Sequence, residues 1–160
     1  MKKFVLAAVA VALSSGSAYA ATADGSATAT VVAPLTLSHD TNAKINFGLI
    51  DPGTGGTVLV TAAGAGSPSG GVTLVSGSTN TADSFTVGGA ATRGFTILAG
   101  PGSVTSGANS MTFTTTPSAT SATLSAGGTA TFTVGGTLTV AAAQASGSYT
   151  GSYTATVAYN

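Results

Sequence analysis

The C-terminal stretch Gly147–Asn160 reads GSYTGSYTATVAYN and holds three of the four tyrosines of the chain. Its odd positions carry Tyr, Gly, Ala or Val, and its even positions carry Ser or Thr as far as Ala158. A period of two predicts a β-strand, Ser148–Tyr159, with one apolar face and one hydroxyl face. A free chain end usually frays into polar residues, so we expect this strand to be covered.

The first 20 residues, MKKFVLAAVAVALSSGSAYA, have the layout of a secretory signal peptide. Lys2 and Lys3 precede an apolar run, and the small-residue site Ala18-Tyr19-Ala20 predicts cleavage before Ala21. The apolar run is shorter than the roughly 20 residues that a permanent membrane span needs. We therefore expect a secreted chain that meets the membrane only transiently, with residues 21–160 forming a single domain.

The charge of the predicted mature chain excludes one class of partner. Residues 21–160 keep Lys44 and Arg93 against four aspartates, a net charge of −2. Nucleic-acid binding requires a basic surface, which this composition cannot supply. Cysteine is absent although export usually favours disulfides, so stability must come from the core and from contacts between molecules.

The alternating pattern continues along the mature chain, where Thr and Val dominate. Gly135-Gly136, between ATFTV and TLTVA, predicts a two-residue hairpin turn. Short strands separated by Gly- and Pro-rich turns are typical of an antiparallel sandwich or barrel, so the fold class is all-β. The predicted strands are 27–37, 44–50, 57–62, 71–75, 84–87, 94–98, 110–115, 129–134, 137–142 and 148–159.

Large apolar residues on one face of these strands make up the predicted core. Burying each of them stabilises the fold by roughly 1.5–3 kcal/mol. The residues assigned inward are Phe47, Phe85, Phe95, Phe113, Phe132, Leu138 and Val140.

The first mature strand, ATATVVAPLTL, is the counterpart of the last one. It follows a polar leader, and Pro34 cannot donate a ladder hydrogen bond, which favours an edge or a break at that point. The order of the elements resembles subunits of chaperone–usher pili and, more closely, secreted bacterial β-sandwich proteins related to spore coat protein U. The pieces that carry the resemblance are Ile45-Asn46-Phe47-Gly48, Gly135 to Val140, and Gly147 to Asn160.

The resemblance implies an immunoglobulin-like, pilin-like antiparallel sandwich that lacks one strand. A periplasmic chaperone would fill the gap first, and the N-terminal extension of a related subunit, about residues 21–33, would replace it at the usher. This is strand addition to a sheet edge. The implied donor residues are Ala27, Ala29, Val31 and Ala33. The implied C-terminal edge consists of Tyr149, Tyr153, Val157 and Tyr159.

Catalytic and metal-binding patterns are sparse. His39 is the single histidine, and we expect it to be solvated, with Asp83 as an isolated loop carboxylate, so that no triad or carboxylate pair forms. Asp40 and Asn42 have the spacing of a calcium loop, but the chain contains no glutamate to complete one. We predict no enzyme activity, no metal site and no cofactor.

The resemblance thus implies a bacterial structural subunit, moved through the periplasm to a fimbrium- or coat-like structure at the cell surface. Two alternatives stay open. A small outer-membrane β-barrel also ends in an aromatic strand, although most predicted strands are shorter than the 9–11 residues that it needs. A monomeric carbohydrate-binding or adhesin sandwich would need an exposed aromatic platform.

Overall fold

The computed structural model describes residues 20–160, so the predicted signal peptide lies outside the described residues except for its last position. The chain divides into two compact units, Met1–Thr30 and Val31–Asn160. Of the first unit, residues 20–30 are exposed and adopt no regular secondary structure. Every strand within residues 20–160 belongs to the second unit.

The second unit is built from β-strands, and no helix occurs in residues 20–160. Their pairings are antiparallel, which confirms the predicted fold class and is consistent with a β-sandwich. In chain order they are β1 Thr36–His39, β2 Ile50–Asp51, β3 Gly56–Val60, β4 Gly66–Gly70, β5 Thr73–Leu74, β6 Asp83–Gly88, β7 Gly94–Ala99, β8 Gly102–Ser106, β9 Asn109–Pro117, β10 Ser121–Thr123, β11 Thr129–Val140, β12 Thr150–Ser152 and β13 Ala155–Tyr159.

Three sheets are formed by these strands. The large sheet has the order β1-β6-β11-β9-β8-β12, and the β3–β4 pair joins it along β11. A second sheet has the order β10-β7-β13, and β2 and β5 form a small pair of their own. The N-terminal strand β1 and the C-terminal strand β13 therefore lie in different sheets.

The central strand β11 corrects the predicted hairpin. Gly135 and Gly136 lie inside one continuous strand, which pairs with β6 through Val134 and with β3 from Gly136 onward. A Cβ on Gly135 would overlap the carbonyl oxygen of Val60, and a Cβ on Gly136 would overlap that of Thr114. The glycines are therefore explained by the close approach of neighbouring backbones, not by a turn.

The core consists of two buried clusters, and it confirms the predicted inward face. The cluster that we call the lower core contains Phe47, Phe113, Leu138 and Val140, packed with Val58, Val60, Val72 and Met111. The cluster that we call the upper core contains Phe85, Phe95 and Phe132, packed with Val87, Ile97, Leu124 and Val134. Phe85 and Phe132 stack with ring centroids 5.2 Å apart.

Several predicted strands have different bounds in the structure. The predicted strand 27–37 is wrong before Thr36, where β1 begins. Of the predicted strand 44–50, only Ile50 lies in a strand, and Asn46 forms an isolated bridge. The predicted strand 148–159 is divided into β12 and β13, which belong to different sheets. The sequence pattern does not predict strands β4, β8 and β10; β4 is an exposed edge strand in which Pro68 is tolerated.

Candidate functional site

A groove of about 1250 Å³ opens on one side of the sandwich. One wall is the stretch from Ala43 to Ile50, and the other is the stretch from Gln144 to Tyr153. Lower-core side chains form its floor, among them Phe47, Met111 and Leu138. A groove this large with an apolar floor is a candidate binding site.

Past His39 and Tyr153, at the end of the groove, lie the edge strands β1 and β13, and we call the space between them the β1–β13 gap. Leu35 and Leu37 from one side, and Ala155 and Val157 from the other, pack against the upper core. Within the described chain, each of these two strands pairs on one edge only, β1 with β6 and β13 with β7. We call this side of the second unit, which is formed by residues 33–50 and residues 144–159, the seam.

The backbone of β13 presents hydrogen-bonding groups to the seam. Gly100 donates to the carbonyl of Thr154, and Asn160 donates to the carbonyl of Gly94, so the even-numbered residues of β13 bond to β7. Because antiparallel strands direct alternate residues to opposite edges, the backbone N–H and C=O groups of Ala155, Val157 and Tyr159 point away from β7. This edge can accept another strand.

The four predicted residues of the C-terminal edge all lie on the inner side of the seam. Tyr149 and Tyr153 pack against the lower core, while Tyr153, Val157 and Tyr159 pack against the upper core. All four are half-buried. The period of two therefore identified their common inward direction, although they do not share one strand.

Asp83 lies at the junction of the groove and the β1–β13 gap, and its surroundings correct two predictions. It is a strand residue only 4% exposed, not an isolated loop carboxylate. His39 is half exposed, but its Nε2 lies 2.7 Å from Asp83 Oδ1, so it is not simply solvated. The Tyr153 hydroxyl donates to Asp83 Oδ2 at 2.8 Å, and the Ser84 amide donates to Oδ1.

The electrostatic consequence is clearest for Tyr153. Burial, then the hydrogen bond to Asp83 and the negative charge of that carboxylate, raise the pKa of Tyr153. The phenol therefore stays protonated and remains a hydrogen-bond donor. The hydrogen bonds of Asp83 thus join His39 and Tyr153 to one buried carboxylate.

Tyr159 makes a second polar contact across the seam. Its hydroxyl donates to the carbonyl of Ala33 at 2.9 Å and accepts from the amide of Ala90 at 2.6 Å. A Cβ on Gly89 would overlap this hydroxyl, so the backbone leaves room for it. Ala33 precedes β1 and His39 ends it, so Tyr159 contacts the residues before β1, and Tyr153 shares Asp83 with the residue at the end of β1.

The predicted donor residues are not gathered at the site. Ala27 and Ala29 are exposed members of the first unit, and Val31, at 95% exposure, and Ala33 are exposed at the start of the second. None of the four belongs to a strand.

Other kinds of site receive no support from the residues described. Between residues 20 and 160 no group of three or more His or Asp side chains is arranged to hold a metal ion. The same part of the chain contains no helix of the length and apolarity needed to cross a membrane. Asp40 instead accepts hydrogen bonds from Ser84 and Thr86, which lower the pKa of its carboxyl.

Comparisons with known proteins identify a family without assigning an activity. No curated protein and no solved structure gives a significant match to the chain. A family model described as "Domain of unknown function (DUF4402)" matches residues 35–159, from just before β1 to the end of β13. Because this match covers most of the sequence, the chain belongs to the DUF4402 family.

Proposed function

We propose that the protein is an exported structural subunit of a cell-surface assembly, fimbrium-like or coat-like, that assembles by β-strand addition. The observation that carries the proposal is the seam. There a groove of about 1250 Å³ with an apolar floor ends at His39 and Tyr153, next to the edge strands β1 and β13, each of which pairs with one strand among the described residues. An added strand would gain a backbone ladder from β13 and apolar pockets from both cores.

The N-terminal extension supplies a strand of suitable chemistry. Residues 27–33 alternate small apolar and hydroxyl residues up to Val31, carry no charge, and are exposed. Ala27, Ala29, Val31 and Ala33 would face the groove of a related subunit, while Thr28 and Thr30 would face outward. Small side chains suit a shallow groove because the ladder contributes most of the affinity.

The outer surface of the large sheet also suits an assembled subunit. Exposed hydroxyl side chains cover neighbouring strands β9, β11, β8 and β12, as shown by Thr112, Thr114, Thr139, Ser103 and Ser152. Uncharged side chains allow close packing of like subunits without repulsion or desolvation of charges.

The proposal includes the transport of the subunit to the cell surface. An unfilled seam exposes apolar surface and strand edges, both of which promote aggregation. A periplasmic chaperone that pairs with Tyr149, Tyr153, Val157 and Tyr159, followed by an usher, would protect the seam until a subunit fills it. The proposed location is the periplasm and then the cell surface of a bacterium.

The test is a charge placed on the proposed inward face of the extension. In Val31→Asp the carboxylate would be buried without a partner, which costs several kcal/mol. We expect unheated gels of surface-sheared protein to show a ladder for the parent and monomer only for Val31→Asp. Thr30→Asp is the matched control, because it adds the same charge on the opposite face and should keep the ladder. A parent that runs as a single monomer band contradicts strand addition.

A further inference from the structure

Two tyrosine hydroxyls connect the C-terminal segment with the opposite wall of the seam. Tyr153 bonds to Asp83, which also contacts His39 at the end of β1. Tyr159 bonds to Ala33, just before β1. Tyr159 therefore reaches across to the residues just before β1, and Tyr153 reaches Asp83 of β6, the partner of His39 at the end of β1.

Side-chain contacts alone hold this part of the seam closed. Backbone ladder pairing joins β1 to β6 and β13 to β7, and none joins β1 to β13 within residues 20–160. The rest of the connection is apolar contact with the upper core, made by Leu35, Leu37, Ala155 and Val157. Opening the gap by a strand's width therefore leaves every backbone ladder intact but breaks both tyrosine contacts.

The contacts are built into the fold. Tyr153 packs edge-on against Phe85 and Phe113, with ring centroids 6.2 and 6.0 Å away, so its ring is anchored in both cores. Asp83 is buried, and its carboxylate is hydrogen-bonded to the Tyr153 hydroxyl, the Ser84 amide and His39 Nε2. Gly89 leaves the space that the Tyr159 hydroxyl occupies.

We propose that Tyr153 and Tyr159 form a gate that holds the β1–β13 half of the seam closed in the unassembled subunit. The groove itself, between residues 43–50 and residues 144–153, stays open. Strand addition along β13 requires the hydroxyls of Tyr153 and Tyr159 to break their hydrogen bonds to Asp83 and Ala33. The gate protects the unpaired edge of β13 and sets a barrier to premature addition. This inference rests on the proposed function, since it regulates the same site.

The gate predicts a gain of function when the hydroxyls are removed and the rings are kept. A double variant, Tyr153→Phe with Tyr159→Phe, should capture a synthetic peptide of residues 21–33 of this chain about tenfold faster than the parent, because two hydrogen bonds no longer oppose opening. Ser118→Ala is the control. The Ser118 hydroxyl accepts a hydrogen bond from the Thr133 amide, outside the residues that form the seam, so capture should keep the parent rate.

The width of the gap can be measured without any partner. The chain has no cysteine, so spin labels on Ser38→Cys and Thr156→Cys report the separation of β1 and β13 by electron paramagnetic resonance. We expect one narrow distance in the parent and in Ser118→Ala, and a longer or broader distribution in the double variant. Val58→Ala, a buried change in the lower core that lies outside the seam, controls for general loss of stability and should keep the parent distance.

The outcomes separate the two ideas. An unchanged distance in the double variant, or capture no faster than that of the parent, overturns the gate even if the peptide binds. If neither protein captures the peptide, strand addition fails, and the gate fails with it.

Discussion

The Tyr153 hydroxyl donates a hydrogen bond of 2.8 Å to Asp83 Oδ2, although the two residues lie 70 positions apart. The contact joins the C-terminal segment to β6 in the large sheet. Because the acceptor is a buried carboxylate, losing the donor leaves part of its desolvation uncompensated.

Removal of this hydroxyl should therefore destabilise the fold. We expect Tyr153→Phe to lower the free energy of unfolding by about 1.5–3 kcal/mol at neutral pH, the usual value for a hydrogen bond to a charged group. Urea unfolding followed by circular dichroism measures the change. Tyr149→Phe, which loses hydrogen bonds within the 144–149 loop, is the control and should lose less. An equal loss in both variants would contradict the special role of Asp83.

The same phenol makes the stability depend on alkaline pH. The pKa of Tyr153 is raised in the folded protein, while the unfolded chain ionises near pH 10. Its contribution is therefore complete below about pH 10 and is lost as the pH rises further, because the unfolded state then releases the proton first. The urea midpoint should fall less steeply above about pH 10 in Tyr153→Phe than in the parent. Parallel pH profiles would rule this out.

Asp40 should make an opposite contribution in acid. Hydrogen bonds from Ser84 and Thr86 lower the pKa of its carboxyl, so its contribution is present above the unfolded value of about 4 and is lost as the pH falls through the folded value. Asp40→Asn should reduce the decline of thermal stability below about pH 4. Asp24→Asn, in the exposed residues before the strands, is the matched control. The idea fails if Asp40→Asn and the parent decline alike.

Phe132 should be among the most sensitive core positions. It is buried and stacks on Phe85, so Phe132→Ala should cost about 3–5 kcal/mol of unfolding free energy. Leu98 is a large apolar residue that is 70% exposed on β7, and Leu98→Ala should change stability by less than about 0.5 kcal/mol. Chemical denaturation of both variants tests the assignment of inner and outer faces. Similar midpoints for the two would refute it.

Gly135 tests the reinterpretation of the glycine pair in β11. An alanine there would push a methyl group into the backbone of Val60 to Ala62, so we expect Gly135→Ala to destabilise by roughly 1–3 kcal/mol. Gly25 has open space around it, and Gly25→Ala should be neutral. If Gly135→Ala left the free energy of unfolding unchanged, the result would argue against the continuous strand.

The sequence predicted what depends on local alternation. Phe113 and Phe132 each lie between two threonines, and this alternation predicts an inward side chain. Both are buried, as is Phe47. The pattern failed where distant strands decide, as at Gly135, whose small size serves a neighbouring backbone. The surroundings of Asp83 were also missed. His39 and Tyr153 lie 44 and 70 positions away from it in the sequence, so no local pattern predicts these contacts.

The position of β11 in the chain has a consequence for the timing of folding. Each strand that pairs with β11, namely β3, β6 and β9, precedes it in the sequence. A chain that emerges N-terminus first therefore waits for residues 129–140 before its large sheet can close. Such distant pairings fold slowly, because the entropy of long loops is lost before contacts repay it. The polypeptide should thus stay unfolded, and able to thread through a narrow channel, until most of its length has been made.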